Sequence, residues 1–349
     1  MADSKPGRIA FLGSGETSLA GGRIFETLAR LIPAPLRVAV LETPAGFEPN
    51  SAGVANRVAG FLQTRLQNYN PILDVIPARK RGTAFSPDDP EILKPLLRAN
   101  LIFMGPGSPT YAVRQLKGSL AWDLIRARHR LGATLVFASA ATISAGAHVL
   151  PVYEIYKAGQ EVHQLPGLDL FADFELPLSF VPHWNNTDGG EDLDTSRCFI
   201  GMERFQQWCD LLPPGHTLIG LDEHTGLILD FKKEACTVSG AGSVSLAREC
   251  NPETYASGKI FPLADLGNIQ FPDPIEQGIP ETVWGMIQNA PALLEERGPD
   301  SDILSLVERR QSARASKNWP EADRLRDELA ARGWLVTDAP AGPVLTRLP

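Results

Sequence analysis

The feature that most constrains this chain is a pair of uninterrupted apolar runs, LIFM at 101–104 and TLVF at 134–137, each set between helix-like stretches. Runs of that kind suit strands covered on both faces, as in a parallel sheet. The same rhythm holds upstream. RIAFLG (8–13) reads as a strand, followed by a helix whose inner face is Ile24, Phe25, Leu28 and Leu31. RVAVLE (37–42) is the next strand. A helix then begins at the cap Asn50, with Val54, Val58, Phe61 and Leu62 inward, and LDVI (73–76) follows. DDPEILKPLLRA is expected to be helical, with an acidic cap and Pro90 in its first turn. Strands alternating with helices imply right-handed βαβ units. The expected fold is therefore α/β, a flavodoxin-like doubly wound and mostly parallel sheet, with sites at the carboxyl ends of its strands.

With 349 residues the chain has room for one large α/β domain and an appendage. After about residue 170 short strands follow one another: LPLSFVPHW, TLIGL, GLILDF, and CTVSG with SVSL, the last two read as a hairpin through Gly240 and Gly242. Residues 252–300 are rich in proline and read as a linker with one short helix at 281–289. A helical hairpin is expected from Asp302. The predicted divisions are thus 1–250, 251–300 and 301–349. A net charge of −8 argues against a large phosphate-binding face. Cys198, Cys209, Cys236 and Cys250 form no CxxC pair, and the expectation is free thiols in a reducing cytoplasm. No apolar run approaches the ~18 residues of a membrane span, and the first residues carry no signal-peptide core.

Three segments carry candidate chemistry. TLVFA runs into Ser139 and then into the small-residue helix AATISAGAHVL, which is how a nucleophile elbow is built. There the Ala140 amide and the helix N-terminus would face an oxyanion. GPGSPT follows the 101–104 strand, and the Gly107 amide is the second candidate donor. FVPHWNNTDGG places His183 at a strand end, where a histidine can act as general base toward a serine hydroxyl. GSGE (13–16) lacks the third glycine of a dinucleotide fingerprint, and no cofactor or metal is expected.

Taken with the later GLDEHTGLILD and VSGAGSVSL, this order over residues 8–248 resembles the aspartyl dipeptidase and cyanophycinase group of serine peptidases, whose fold is that of class I glutamine amidotransferases. The resemblance implies Ser139 as nucleophile, His183 as base, and Gly107 with Ala140 as oxyanion hole. It also implies an acid fifteen positions after the serine, which falls on Glu154. Arg197 is the expected partner of an aspartyl carboxylate, with Asn185 and Asn186 beside it, although Arg197 pairing with Asp194 or Glu203 reads equally well. The chain departs from the family at the elbow. Phe137 and Ala141 stand where relatives have glycine, and Ser144 in ISAGA is a rival match to the family's SAG core.

The segment LSLVERRQSARASKNWPEADRLRDELAARGWLVTDAPAG presents Ile303, Leu304, Leu306 and Val307 on one helix and Ala322, Leu325 and Leu329 on a second, ending at Gly333. Arg309, Arg310, Arg314 and Lys317 form a basic face. This segment resembles the C-terminal end of cysteinyl-tRNA synthetases, yet the chain has neither HIGH nor KMSKS. Two functional readings follow. One is a serine hydrolase of small peptides or amides, aspartyl ones included. The other is an inactive scaffold whose basic hairpin binds tRNA or a protein. The partners expected are a small peptide or amide substrate, a weak tRNA contact through the hairpin, and a second copy in a homodimer, with no membrane.

Overall fold

The computed structural model describes residues 5–248, 251–272, 278–290, 301–339 and 342–347. In chain order, β1 (Ile9–Leu12), α1 (Leu19–Ala29), β2 (Arg37–Leu41), α2 (Ser51–Arg65), β3 (Ile72–Ile76), β4 (Leu101–Met104), α3 (Pro109–Leu116), α4 (Leu120–Arg130), β5 (Thr134–Ala138) and α5 (Ala140–Ser144) form the βα half. Then come β6 (His148–Val149), α6 (Val152–Tyr156), β7 (Leu165–Pro166), β8 (Leu178–Val181), α7 (Gly201–Cys209) and β9 (Thr217–Leu221). β10 (Thr225–Asp230), β11 (Ala235–Gly240), β12 (Ser243–Arg248), β13 (Asn251–Ala256), β14 (Ile260–Pro262) and α8 (Glu281–Gln288) complete the body.

An eight-stranded sheet runs β14-β11-β10-β1-β5-β4-β2-β3, and its β1, β5, β4, β2 and β3 are parallel. A doubly wound, mostly parallel α/β fold is therefore what this half of the chain forms. Both faces of its central strands are covered because their residues alternate between two cores. Ala10, Leu12, Val136 and Ala138 point toward Phe25 and Leu28 of α1 and Val58 and Leu62 of α2. Phe11 and Phe137 point the other way and stack at 5.4 Å, with Phe11 also 4.1 Å from Phe180 on β8. A second sheet, β13-β12-β9-β8, carries that Phe180.

Several expectations need correction. DDPEILKPLLRA holds only a 3₁₀ turn at Lys94–Leu97. Pro95, which lacks an amide hydrogen, cannot continue a helix begun at Pro90. β11 and β12 do not pair with each other. β11 pairs with β10 and β14, whereas β12 pairs with β9 and β13, so Gly240–Gly242 carries the chain from one sheet to the other. The proline-rich segment from 251 begins as two strands of the body rather than as a linker, since edge strands accept Pro252 and Pro262 at no cost in ladder bonds. Cys250 lies outside the described residues.

The chain divides into two compact units, Met1–Ile287 and Gln288–Pro349. The second holds α9 (Ser301–Ala315) and α10 (Trp319–Ala331), the expected helical hairpin. Ile303, Leu306, Val307, Leu325, Leu329 and Val336 make its core, while Leu304 is exposed. An unexpected antiparallel pair, β15 (Trp334–Ala339) and β16 (Gly342–Arg347), follows the left-handed Gly333. Among the described residues no helix is long and apolar enough to cross a membrane.

Candidate active site

Ser139 stands between β5 and α5 with φ 51° and ψ −115°. A non-glycine residue held there is strained, and the strain turns its side chain off the strand end. Its amide still donates to Leu12 O at 3.2 Å, so the last sheet bond fixes where the turn begins. Phe137 does not crowd the elbow, because its ring leaves for the aromatic core beside Phe11. Ala141 is fully buried and donates its amide to Gly105 O at 3.3 Å, which ties the elbow to the glycine loop after β4.

The Ser139 Oγ lies 2.9 Å from His183 Nε2, and His183 Nδ1 lies 2.8 Å from Glu223 Oε1. With Nδ1 protonated and donating to the carboxylate, Nε2 is left to accept the serine proton. Glu223 sits in the turn between β9 and β10. It is held by Asn186, whose Nδ2 donates to Oε1 at 3.0 Å, and by Asn185, whose Oδ1 accepts the Glu223 amide at 2.8 Å. Burial pushes the Glu223 carboxyl up, but the hydrogen bonds from His183 and Asn186 outweigh it and leave its pKa below the usual carboxylate value. Glu223 is thus biased toward its ionised form.

Glu154 does not meet His183. Its Oε1 accepts from Thr110 Oγ1 at 2.6 Å, which joins α6 to the start of α3. Asn185 and Asn186 both hold Glu223. Arg197 is also elsewhere than expected: its guanidinium lies 3.9 Å from the Trp184 ring, and Nη1 donates to Trp184 O at 2.9 Å. Neither Asp194 nor Glu203 hydrogen-bonds it among the described contacts. Asp194 instead caps Ser196 and Met202 through their amides. Ser144 is fully buried and donates to Ala141 O at 2.9 Å, away from the histidine.

The two residues whose amides are expected to face an oxyanion line the same cavity as the serine. Ala140 is the first residue of α5, where amides have no intrahelical acceptor. Gly107 has φ 147°, and a Cβ there would collide with the Pro44 carbonyl, to whose oxygen the next amide, Ser108 N, donates at 2.8 Å. Ser139, His183, Gly107 and Ala140 all open on one cavity of about 660 Å³. Cys198 borders it too, but burial, reinforced by the Glu223 charge, raises the thiol far above the range in which it would ionise.

Comparison with known proteins divides along the same line as the two units. The body has the fold seen in a crystal structure of a peptidase from an acI-B1 actinobacterium, at 19% sequence identity and a TM-score of 0.59, over 74% of this chain and 97% of that one. The family model of the cysteinyl-tRNA ligase anticodon binding domain matches residues 292–342. The cysteine–tRNA ligase of Rubrobacter xylanophilus is 54% identical over 46 residues, 13% of this chain and 10% of that ligase. That of Chlamydia trachomatis serovar A is 49% identical over 47 residues, 14% of this chain and 10% of the ligase. The chain therefore spans about a tenth of the length of the ligases it matches, and its C-terminal unit is similar to their anticodon-binding end.

Proposed function

We propose that the chain is a serine hydrolase of small peptides or amides, with Ser139 as nucleophile, His183 as base and Glu223 as the acid behind it. The observation that carries this reading is the strained Ser139, whose Oγ lies 2.9 Å from a histidine that is itself 2.8 Å from a carboxylate. A serine hydroxyl is a weak nucleophile, and an adjacent oriented base is what activates it. Ser139 Oγ attacks the carbonyl carbon while His183 Nε2 takes its proton. The carbonyl oxygen becomes an oxyanion between the Gly107 and Ala140 amides. Collapse breaks the C–N bond, and His183 returns the proton to the leaving amine. Water, deprotonated by the same imidazole, then splits the acyl ester and restores the serine. A fluorophosphonate probe is expected to label Ser139, with labelling abolished in Ser139→Ala and retained in Ser144→Ala. The reverse pattern would move the nucleophile to Ser144.

A second reading concerns the C-terminal unit and rests on the match of residues 292–342 to an anticodon-binding domain. Its basic face is largely engaged within the unit. Arg310 forks onto Asp338 at 2.9 and 3.0 Å, Arg314 reaches the same carboxylate at 3.2 Å, and Arg309 lies 3.6 Å from Glu321. A tRNA contact requires the full chain to retain tRNA at low salt, to lose it steeply as salt rises, and to lose it entirely when the chain ends near residue 298. Equal retention by both chains removes this reading.

A further inference from the structure

We propose that the cavity at Ser139 selects a large apolar, above all aromatic, side chain next to the scissile carbonyl, rather than an acidic one, and that Phe199 and Tyr156 read it. The inference rests on the hydrolase reading above and adds the substrate class. The cavity of about 660 Å³ contains both Ser139 and His183, so a group bonded to the reacting carbon enters it. The wall that group meets is aromatic. The Phe199 ring centroid lies 5.4 Å from the His183 ring, and Tyr156 lies 6.0 Å beyond Phe199. Tyr153, Ile143 and Val152 extend the same lining.

The charge that an acidic side chain would need is missing from that wall. Arg197, the arginine nearest in sequence to the base, stacks on the Trp184 ring and donates Nη1 to its carbonyl, and it is not among the described residues that line the cavity. Among the described residues lining the cavity, the lysine or arginine is Lys157, which is exposed and lies 4.7 Å from the Tyr156 ring. An exposed ammonium pairing with a carboxylate in water changes affinity by only about two- to fivefold. Filling an apolar pocket with a matching side chain discriminates by roughly ten- to two-hundredfold. The apolar term wins.

The backbone gives a reason for Phe199 to stand where it does. Arg197, Cys198 and Phe199 are three consecutive non-glycine residues in the left-handed region, with φ of 58°, 61° and 71°. The turn is hydrogen-bonded to the histidine's own strand end, Cys198 N to His183 O at 3.1 Å and Arg197 N to Trp184 O at 3.0 Å. Base and aromatic wall are one unit. Strain of this kind persists only where the surroundings over-determine it.

The test is competition for Ser139. The wild-type protein is labelled with a fluorophosphonate in the presence of N-acetyl-phenylalaninal or N-acetyl-aspartal, aldehydes whose carbonyl adds a serine hydroxyl reversibly. The aromatic aldehyde is expected to protect at a concentration at least about tenfold lower than the acidic one. Tyr156→Ala should remove most of that advantage, and Lys157→Ala should leave it. Equal or better protection by the aspartal overturns the inference, and the wild-type ratio decides this without any variant. An advantage that survives Tyr156→Ala removes the role given to that ring. Absence of any labelling in the wild type is a different result: it sinks the hydrolase reading, and the substrate class with it.

Discussion

Glu223 does two things at once through one oxygen, since Oε1 accepts from both His183 Nδ1 and Asn186 Nδ2. Under the proposed hydrolase reading it selects the tautomer that leaves Nε2 free, and its charge stabilises the imidazolium that would form when the serine proton moves. Glu223→Gln keeps the size and loses the charge. We predict a fall in kcat on an amide or activated ester of roughly 10²- to 10⁴-fold with little change in KM, in line with the loss seen when a triad acid becomes an amide. Glu154→Gln, whose carboxylate is bonded to Thr110, is expected to cost less than about tenfold, since only a second-hand effect on loop position is available to it. A larger loss from Glu154 than from Glu223, measured in steady-state turnover, would reverse the assignment.

The site is assembled from strand ends, and how far each was readable depends on how local its partners are. The elbow was legible because strand, serine and helix are contiguous: TLVFA, Ser139 and AATIS already contain the turn. The position of the glycine loop that holds Gly107 was legible for the same reason, since it follows β4. Glu223 was not, because its relation to His183 is made by pairing across the second sheet. β8 and β9 run parallel with Val181 opposite Gly220, so His183 and Glu223 follow at matching distances beyond the ends of neighbouring strands. That adjacency was available in principle, since VPH and GLDEH each close an apolar run. The resemblance, with its acid fifteen positions after the serine, instead implied Glu154, which α6 carries to the start of α3. The contact of Arg197 with Trp184 was not legible, because charge complementarity in sequence ignores the alternative use of a guanidinium, stacking on an indole. At the C-terminus the two helices were readable from their apolar spacing, and β15 with β16 was overlooked, although Trp334, Leu335, Val336 and Thr337 favour a strand.

For the molecule as a whole, two histidines far from the chemistry set its tolerance of acid. His129 on α4 is completely enclosed, with Nε2 2.8 Å from Gly7 O, and burial takes its pKa down to about 4. His216, just before β9, is bonded to Ser179 at 2.9 Å, and burial with the neighbouring His148 lowers it likewise to about 4. In the unfolded chain both titrate near 6.5. Above that pH neither state holds the proton and stability does not depend on these groups. Between about 6.5 and 4 the unfolded chain binds protons that the folded one refuses, so stability falls as pH falls. Asp123 and Asp169, whose carboxyls burial raises, pull the other way toward the acid end. The unfolding temperature is therefore expected to drop by roughly 5 °C or more between pH 7 and pH 5, most steeply toward the lower end of that range. His216→Gln should flatten the dependence, and a melting temperature that stays level across this interval would refute the account.

Under the proposed hydrolase reading, the backbone angle at Ser139 puts folding and chemistry in conflict at a single position. At φ 51° and ψ −115° a glycine would sit without the cost a side chain incurs, which is of order 1–3 kcal/mol. A lineage that stopped using the hydroxyl would gain stability by exchanging Ser139 for glycine, and nothing else in the elbow would need to change. Drift at this residue thus has a preferred direction, away from serine, and only continued use of the hydroxyl opposes it.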